Sequence, residues 1–489
     1  MSTPVDVVLE QVKLPFALRE YQKEDINRLA LFDRSGEFAD MGLGKTVIAF
    51  CIACYKLIKG EFKQCYVVVP ASLTRQWYEF ITPTGASVVE YTGTPSVREK
   101  LDINKNFVIV SYNIFQRDYE RLKRDDIFFI FDEATVFCQP QNTMYKLING
   151  GETRKEKKIP GRLKPEIVKK AYPNINRGCV LLTGTPINSP VSAFGLINMK
   201  TPGVYSSYYQ FERIHVSSKN YFNQPEEYQH MDLLKDNLML NASRRLITDH
   251  IDMPPIVYNT VVYDLSPAHK RLYDKLVSER MLELDGEVLI DSITAQSLYQ
   301  TTQQIIISPS IGGLKEEAVI FDLLEVYINQ VKQFLIFSNY VTNNQAFMKR
   351  FDIGGVFGKV SKAAKDNFIE KFKTGELKGL AIHYASGGFG HNFQNCSSIF
   401  FSEMPITPRN FRQCVSRCWR SGQLEKVVVT VFVANGTIQQ SLLKKIFDKD
   451  ELSREIVNES GSLEDLLTSN VKEAKITKKE LMAQLRGEV

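Results

Sequence analysis

The run Ala39-Asp40-Met41-Gly42-Leu43-Gly44-Lys45-Thr46 has the residue types of a phosphate cradle. Glycines let the chain turn tightly, and the backbone N–H groups of such a turn, at the start of a helix, form a pocket for anions. Lys45 has the reach for the β- and γ-phosphates of a nucleotide, and the Thr46 hydroxyl can ligate magnesium. The first glycine usual in such loops is Ala39 here, while Gly44-Lys45-Thr46 is intact. Downstream, the apolar run Ile127-Phe128-Phe129-Ile130-Phe131 ends in Asp132-Glu133. Strand ends are where open α/β sheets bind ligands. Asp132 suits a magnesium shell, through water, and Glu133 suits the polarisation of an attacking water. Alone, this acid pair would read equally well as solvated surface; downstream of Lys45 it reads as chemistry.

Such residues need strands to carry them. Short β-branched and aromatic runs occur at Tyr66–Val69, Val108–Val110, Ile127–Phe131 and Cys179–Leu182. A second series follows at Gln333–Phe337, Gly379–Tyr384, Ser398–Phe401 and Val427–Val433. Helical patterns separate the runs, as expected for buried parallel strands with crossover helices. About 150 mostly helical residues lie between the two series, so two α/β lobes are expected with helical material inserted. Met253-Pro254-Pro255 cannot continue a helix and marks a boundary. The expected organisation is a first lobe over 1–252, a second over 253–447 and a charged helical tail over 448–489, where Ser462 and Asp465 could form a capping box.

The chain of 489 residues is 44% hydrophobic and 24% charged, which excludes bulk disorder, coiled coil and collagen. No apolar run approaches the roughly 18 residues of a membrane span. Asp6 and Glu10 near the N-terminus argue against a secretion signal. A cytoplasmic location is expected, bacterial or in a phage-infected host, or a nuclear one in a eukaryote. Of eight cysteines only Cys51 and Cys54 have the C-x-x-C spacing, and no second pair completes a zinc set, so both read as small core residues of a helix. The net charge of +5 is a weak signal, but Lys146–Lys170 holds nine basic residues, Lys155, Lys157 and Lys158 among them, against three acidic ones. With Gly150-Gly151 and Pro160-Gly161 it reads as a loop, either a solvated insertion or a contact to a phosphate backbone.

The order of further motifs resembles the superfamily-2 helicases and translocases of the Swi/Snf-type branch. Leu18-Arg19-Glu20-Tyr21-Gln22 is similar to that branch's opening motif, where Gln22 would read adenine beside Arg19. The loop from Asp40 to Thr46, including Met41, Gly42, Leu43 and Gly44, resembles its nucleotide loop. Val69-Pro70-Ala71-Ser72-Leu73 with Gln76-Trp77 resembles a motif bordering the DNA track, and Leu182-Thr183-Gly184-Thr185-Pro186 the motif that couples hydrolysis to lobe movement. In the second half Leu335-Ile336-Phe337-Ser338, Gly387-Gly388-Phe389-Gly390-His391-Asn392-Phe393 and the run from Gln413 to Gln423 match in order. His391 and Phe393 replace leucines, Trp419 replaces a histidine between the arginines, and Asp132-Glu133-Ala134-Thr135 lacks a common histidine or glutamine in fourth place.

The resemblance implies two RecA-like parallel-sheet lobes with helical insertions and a helical C-terminal tail. The basic segment (about 139–172) would be an insertion, and 191–250 a helical protrusion. Arg417 and Arg420 would sense the γ-phosphate, Gly390 and Asn392 would line the nucleotide, and Gln413 would join Thr183, Gly184 and Thr185 in coupling. Backbone contacts to DNA would come from Ser72, Ser111, Ser338, Gly387 and Gly388. ATP and Mg2+ are the expected cofactors. The expected partner is DNA, as duplex, fork or four-way junction, gripped by its phosphates. Branch migration or fork remodelling is the activity implied, and a bacteriophage recombination helicase the specific expectation. A restriction or viral transcription motor subunit, an RNA helicase and a non-translocating ATP-regulated clamp remain alternatives.

Overall fold

A computed structural model of the chain describes residues 2–139, 141–157, 166–187, 189–219, 223–279, 281–284, 287–291, 295–384, 391–403, 405, 407–444 and 471–473. Of residues 154–157, 166–168, 281–284, 287–291, 295–296 and 471–473 it describes the backbone alone. The chain divides into two compact units, the first over Met1–Asp252 and the second beginning at Met253.

The first unit is built on a seven-stranded parallel sheet. Its strands are β1 (Arg34–Glu37), β2 (Gln64–Val69), β3 (Val88–Tyr91), β4 (Phe107–Ser111) and β5 (Ile127–Asp132). Next come a hairpin, β6 (Gly150–Lys157) and β7 (Glu166–Asn174), the sheet strand β8 (Gly178–Leu182), a second hairpin, β9 (Val216–Lys219) and β10 (Pro225–Tyr228), and the edge strand β11 (Ala242–Ser243). The sheet order is β11-β1-β8-β5-β2-β4-β3. Side chains alternate across it: Phe128 and Ile130 pack on one face with the helix Lys45–Ile58, and Ile127, Phe129 and Phe131 on the other. Both faces are covered, so the strands read as unbroken apolar runs. Each fully buried side chain of this kind contributes about 1.5–3 kcal/mol.

Three features differ from the sequence reading. The strand before the nucleotide loop is the polar Arg34-Ser35-Gly36-Glu37, which the series of apolar runs did not include. The basic segment is an antiparallel hairpin and not a loop, in register from Gly151 opposite Tyr172 to Lys157 opposite Glu166. The sequence of β6, GGETRKEK, has no apolar alternation, so hydrophobic periodicity is silent there. Its base is held by Lys170 Nζ on Glu120 at 2.8 Å and by Tyr172 packed edge-on to Tyr119. The region 191–250 is not wholly helical: it carries the β9–β10 hairpin, and β11 joins the edge of the main sheet beside β1. Cys51 and Cys54 are buried in the helix Lys45–Ile58 without a disulfide.

The second unit holds a second seven-stranded parallel sheet. Its strands are β12 (Ile256–Tyr263), then, after a small hairpin β13 (Met281–Leu284) and β14 (Glu287–Asp291), β15 (Phe334–Ser338), β16 (Gly354–Val356), β17 (Gly379–His383), β18 (Ser398–Phe401), β19 (Val427–Ala434) and β20 (Val471–Glu473). The order is β16-β17-β15-β18-β19-β12-β20. These are two RecA-like lobes. The described part of the tail corrects the helical expectation, because Val471–Glu473 pairs in parallel with Thr260–Val262. The rest of the tail, with Ser462 and Asp465, lies outside the described residues. Among the described residues no helix is long and apolar enough to cross a membrane.

Candidate nucleotide site

Three strand ends bring the expected chemistry together. β1, β8 and β5 are neighbours, with Glu37 in register with Leu182 and Leu182 with Asp132. The chain therefore leaves all three strands at one level, at the carboxyl edge where open sheets hold ligands. β1 leads into Asp40–Thr46, β8 into Thr183-Gly184-Thr185, and β5 ends in the acid pair. A Cβ added to Gly184 would lie 3.5 Å from the Ala39 carbonyl and 3.6 Å from Lys45 Nζ. Behind the site the turn Ala134–Cys138 meets the helix Ala193–Lys200 so closely that a Cβ on Gly195 would overlap the Phe137 carbonyl. Cys138 Sγ also donates to the Pro186 carbonyl at 3.4 Å. The acid-pair turn and the Thr183–Pro186 segment thus pack as one block.

The loop has the backbone such a site needs. Gly42 and Gly44 have φ of 92° and 80°, and Gly44 starts the helix Lys45–Ile58 from the left-handed region. A side chain at Gly44 would be strained and would run into the Gln22 amide. Tyr21 OH and Gln22 Nε2 donate to the Leu43 carbonyl at 2.9 and 3.0 Å, and Gln22 Oε1 accepts the Arg19 amide. Leu43 is buried, with Met41 and Gly42 half-buried beside it. Lys45 Nζ donates to the carbonyls of Ala39 and Asp40 at 2.7 and 3.0 Å. Removal from water pulls its pKa down, against the attraction of Glu133, Asp132, Asp40 and Glu37. The Asp132 carboxylate accepts the Trp77 indole at 2.9 Å and the Glu133 amide at 2.9 Å, which fixes its orientation. Burial first, then the Glu133 charge, push Asp132 up to about 6. Glu133 sits in the left-handed region with φ of 52°, a backbone state that clusters at functional sites.

A divalent ion has a fitting donor set here. Thr46 and Asp132 supply one hydroxyl and one carboxylate, and among the described residues no cluster of three acids, histidines or cysteines competes. Magnesium keeps several waters and takes phosphate oxygens, so it suits such a sparse set.

Glu37 was missed by sequence reasoning. It is fully buried at the end of β1, and among the described residues no side chain hydrogen-bonds its carboxyl oxygens. Burial, and next the charge of Asp25, push its pKa to about 8. Between the ordinary carboxylate range and about 8 the folded chain keeps a proton that the unfolded chain has released, so stability falls as pH rises through that window. Glu37→Gln should lose less stability than wild type between about pH 5 and pH 8, by on the order of 2 kcal/mol in urea unfolding. Identical pH slopes for the two proteins would mean that Glu37 is ionised in the fold.

In the second unit, the helix Pro408–Val415 and the turn after it carry Gln413, Arg417 and Arg420, with Gln413 buried. Arg417 Nη1 donates to the His391 carbonyl at 3.5 Å, and Arg420 Nη1 to Asn392 Oδ1. Burial, then the neighbouring Arg417, lower Arg420 to about 10, so it stays charged at neutral pH. Among the described residues no carboxylate ion-pairs with Arg420. Trp419 is half-buried and donates its indole N–H to the Pro254 carbonyl at 2.8 Å, which anchors the arginine turn to the start of the unit. Gly387, Gly388, Gly390 and Lys158 lie outside the described residues, and of Lys155 and Lys157 only the backbone on β6 is described. Ser72 is exposed. Ser111 and Ser338 are buried: Ser111 caps the helix Tyr112–Arg117 and Ser338 donates to Glu403 at 2.7 Å, so both anchor the local fold.

The SNF2-related domain family matches residues 22–156 and 164–308. The chain belongs to the SNF2-related family. The Helicase conserved C-terminal domain matches 317–422. Members of the SNF2-type family hydrolyse ATP, and this chain is an enzyme of that kind. It is 24% identical over 460 residues to the uncharacterized ATP-dependent helicase YqhH of Bacillus subtilis, covering 88% of this chain and 76% of that one. It is 23% identical to Protein CHROMATIN REMODELING 5 of Arabidopsis thaliana, spanning 96% of this chain but only 29% of that protein. It is 20% identical to the DNA repair and recombination protein RAD54-like of Drosophila persimilis, over 96% of this chain and 67% of that one. Among solved structures, the Sulfolobus solfataricus SWI2/SNF2 ATPase core in complex with dsDNA is similar at 19% identity and a TM-score of 0.42, over 94% of this chain and 99% of that one.

On this SNF2-type frame, sequence reasoning also passed over Asp25, Arg244, Arg245 and Glu403. The signal for the arginines was present as a bare pair, Arg244-Arg245, shortly before the Pro254-Pro255 boundary. Glu403 gave none. It is a buried acid after β18 that accepts Ser338 Oγ and the Asn339 amide, at 2.7 and 2.6 Å, and the Ser402 hydroxyl at 2.5 Å.

Proposed function

We propose that the chain is an ATP-driven motor on double-stranded or branched DNA, acting in fork remodelling or four-way-junction branch migration during recombination, repair or replication. What supports this most is the meeting of Lys45, the acid pair and Thr183-Gly184 on three neighbouring strand ends. In this reading Lys45 and the loop amides hold the β- and γ-phosphates of ATP, and Gln22 reads the base. Glu133 polarises the attacking water. Thr46, and Asp132 through water, would hold magnesium, which would supply charge compensation at the phosphates. Arg417 and Arg420 complete that compensation when the lobes close, which makes hydrolysis depend on closure. Thr183 to Thr185 and Gln413 couple closure to movement.

The DNA grip would be mainly to the phosphate backbone, with Ser72, the backbone near Gly387-Gly388 and the lysines of the β6–β7 hairpin as contacts. A DNA repair and recombination protein among the relatives supports the branched-DNA reading. DNA-stimulated turnover should therefore collapse with salt, the affinity for duplex falling by roughly 10³ between about 50 and 200 mM. A salt-independent stimulation would reject phosphate gripping. The deciding experiment compares ATP-driven processing of a four-way junction, a forked duplex, a triplex and RNA. Junction or fork processing is expected. Displacement of the triplex alone would reduce the function to plain translocation, stimulation by RNA alone would make it an RNA helicase, and ATP binding with no displacement would make it a clamp.

A further inference from the structure

We propose that Arg244 is a positioning residue for the nucleotide loop, tying the loop's geometry to the chain segment that leaves the first lobe. The inference rests on the reading of Asp40–Thr46 as the ATP loop and adds to it the residue that sets its entry. Asp40 opens the loop, and each of its polar groups is engaged. Its carbonyl accepts Lys45 Nζ at 3.0 Å, and its amide donates to the Arg245 carbonyl at 2.9 Å. Its carboxylate accepts Arg244 Nη2 at 2.8 Å and the Ile247 amide at 3.0 Å. Arg244 Nη1 also donates to the Phe38 carbonyl at 2.5 Å, so one guanidinium spans the end of the strand and the first loop residue. Its side chain is only 10% exposed, so water screens this charge-assisted pair weakly.

A second path runs in parallel. Arg245 pairs with the fully buried Asp25 at 2.9 Å, and Ser243 Oγ donates to the same carboxylate at 2.5 Å. Asp25 lies on the helix Glu20–Leu29, whose Tyr21 and Gln22 hold the Leu43 carbonyl. The segment 243–247 therefore holds the loop near both ends, directly at Asp40 and through a helix at Leu43. The first lobe ends at Asp252, a few residues on. A pull on this connection reaches Lys45 through the Asp40 carbonyl it bonds.

The test is steady-state ATP turnover and direct nucleotide binding by the full chain for Arg244→Gln, Arg244→Lys, Asp40→Asn and the Arg244→Gln/Asp40→Asn double variant, with thermal unfolding measured on each. Arg244→Gln should raise the KM and the Kd for ATP by about tenfold while kcat changes less than about threefold. Arg244→Lys should recover most of the loss, and the double variant should be no worse than Arg244→Gln, as for one shared interaction. A fall in kcat with unchanged KM that tracks lost folded protein would make the pair a fold staple and overturn the proposal. Multiplicative losses in the double variant would overturn it too, as would failure of all three single variants to fold. Wild-type chain that binds no ATP would instead overturn the reading of the loop, and the inference with it.

Discussion

Lys45→Ala should lower ATP turnover by roughly 10³-fold or more, while the chain is expected to stay folded and to keep its duplex-DNA binding. Phosphoryl transfer asks the protein for positioning and charge compensation, and loss of one preorganised donor of this kind costs about 10²–10³. Lys45 carries more than one such role. Its ammonium lies among Asp132, Glu133, Asp40 and Glu37, the arrangement a transferred phosphate would join, and it also satisfies the Ala39 and Asp40 carbonyls. Alanine removes the cation and leaves two loop carbonyls without their donor. The helix it begins keeps its apolar face, from Val47 to Cys54, so the lobe should stay folded. The check is phosphate release beside a thermal melt and a duplex-binding isotherm. Turnover within tenfold of wild type would remove the loop from the chemistry.

Arg420→Ala should likewise lower turnover, by about 10³–10⁵ if it acts as an arginine supplied to the transferred phosphate, while ATP affinity is expected to fall less than about tenfold. The physical ground is charge. Arg420 lies beside Arg417, its pKa lowered by burial and by that second guanidinium, and it bonds a neutral amide, Asn392. A guanidinium such as that of Arg420, largely removed from water, gains from an anion that joins it, and a γ-phosphate is such an anion. Asn392 holds Arg420 in place, so Asn392→Ala should lower turnover in the same direction by a smaller factor. Filter binding of nucleotide with single-turnover hydrolysis separates the two steps. Hydrolysis that survives in Arg420→Ala would reject the assignment of Arg420 to the γ-phosphate.

The legible parts of this protein are those whose physics is local. β5 could be read because burial on both faces demands an unbroken apolar run, and its two terminal acids break that pattern where the strand ends. The loop could be read because Gly44, Lys45 and Thr46 are adjacent: a left-handed glycine followed by a helix start is a local pattern, although Tyr21, Gln22 and Arg244 hold the loop in place from elsewhere in the chain. β1 could not be read. Arg34-Ser35-Gly36-Glu37 has a surface composition, and it is buried because β8 and β11 flank it. The basic strand pair was hidden for a different reason: β6, Gly150–Lys157, carries no apolar alternation in its sequence.

Residue order and spacing alone thus pointed to the lobes, the nucleotide loop and the acid pair, because short-range dihedral and periodicity rules govern each of them, whereas the arginine pair was legible only through the family resemblance. The folded chain decided which side chains meet across long separations. The Asp40 carboxylate takes the Ile247 amide from 207 residues away, Trp77 orients Asp132 from 55 residues away, and Ser338 is held by Glu403 from 65. No local rule encodes such pairs. They exist because parallel-strand registry brings distant strand ends to one level, and a buried polar group in that confined space must find its partner there.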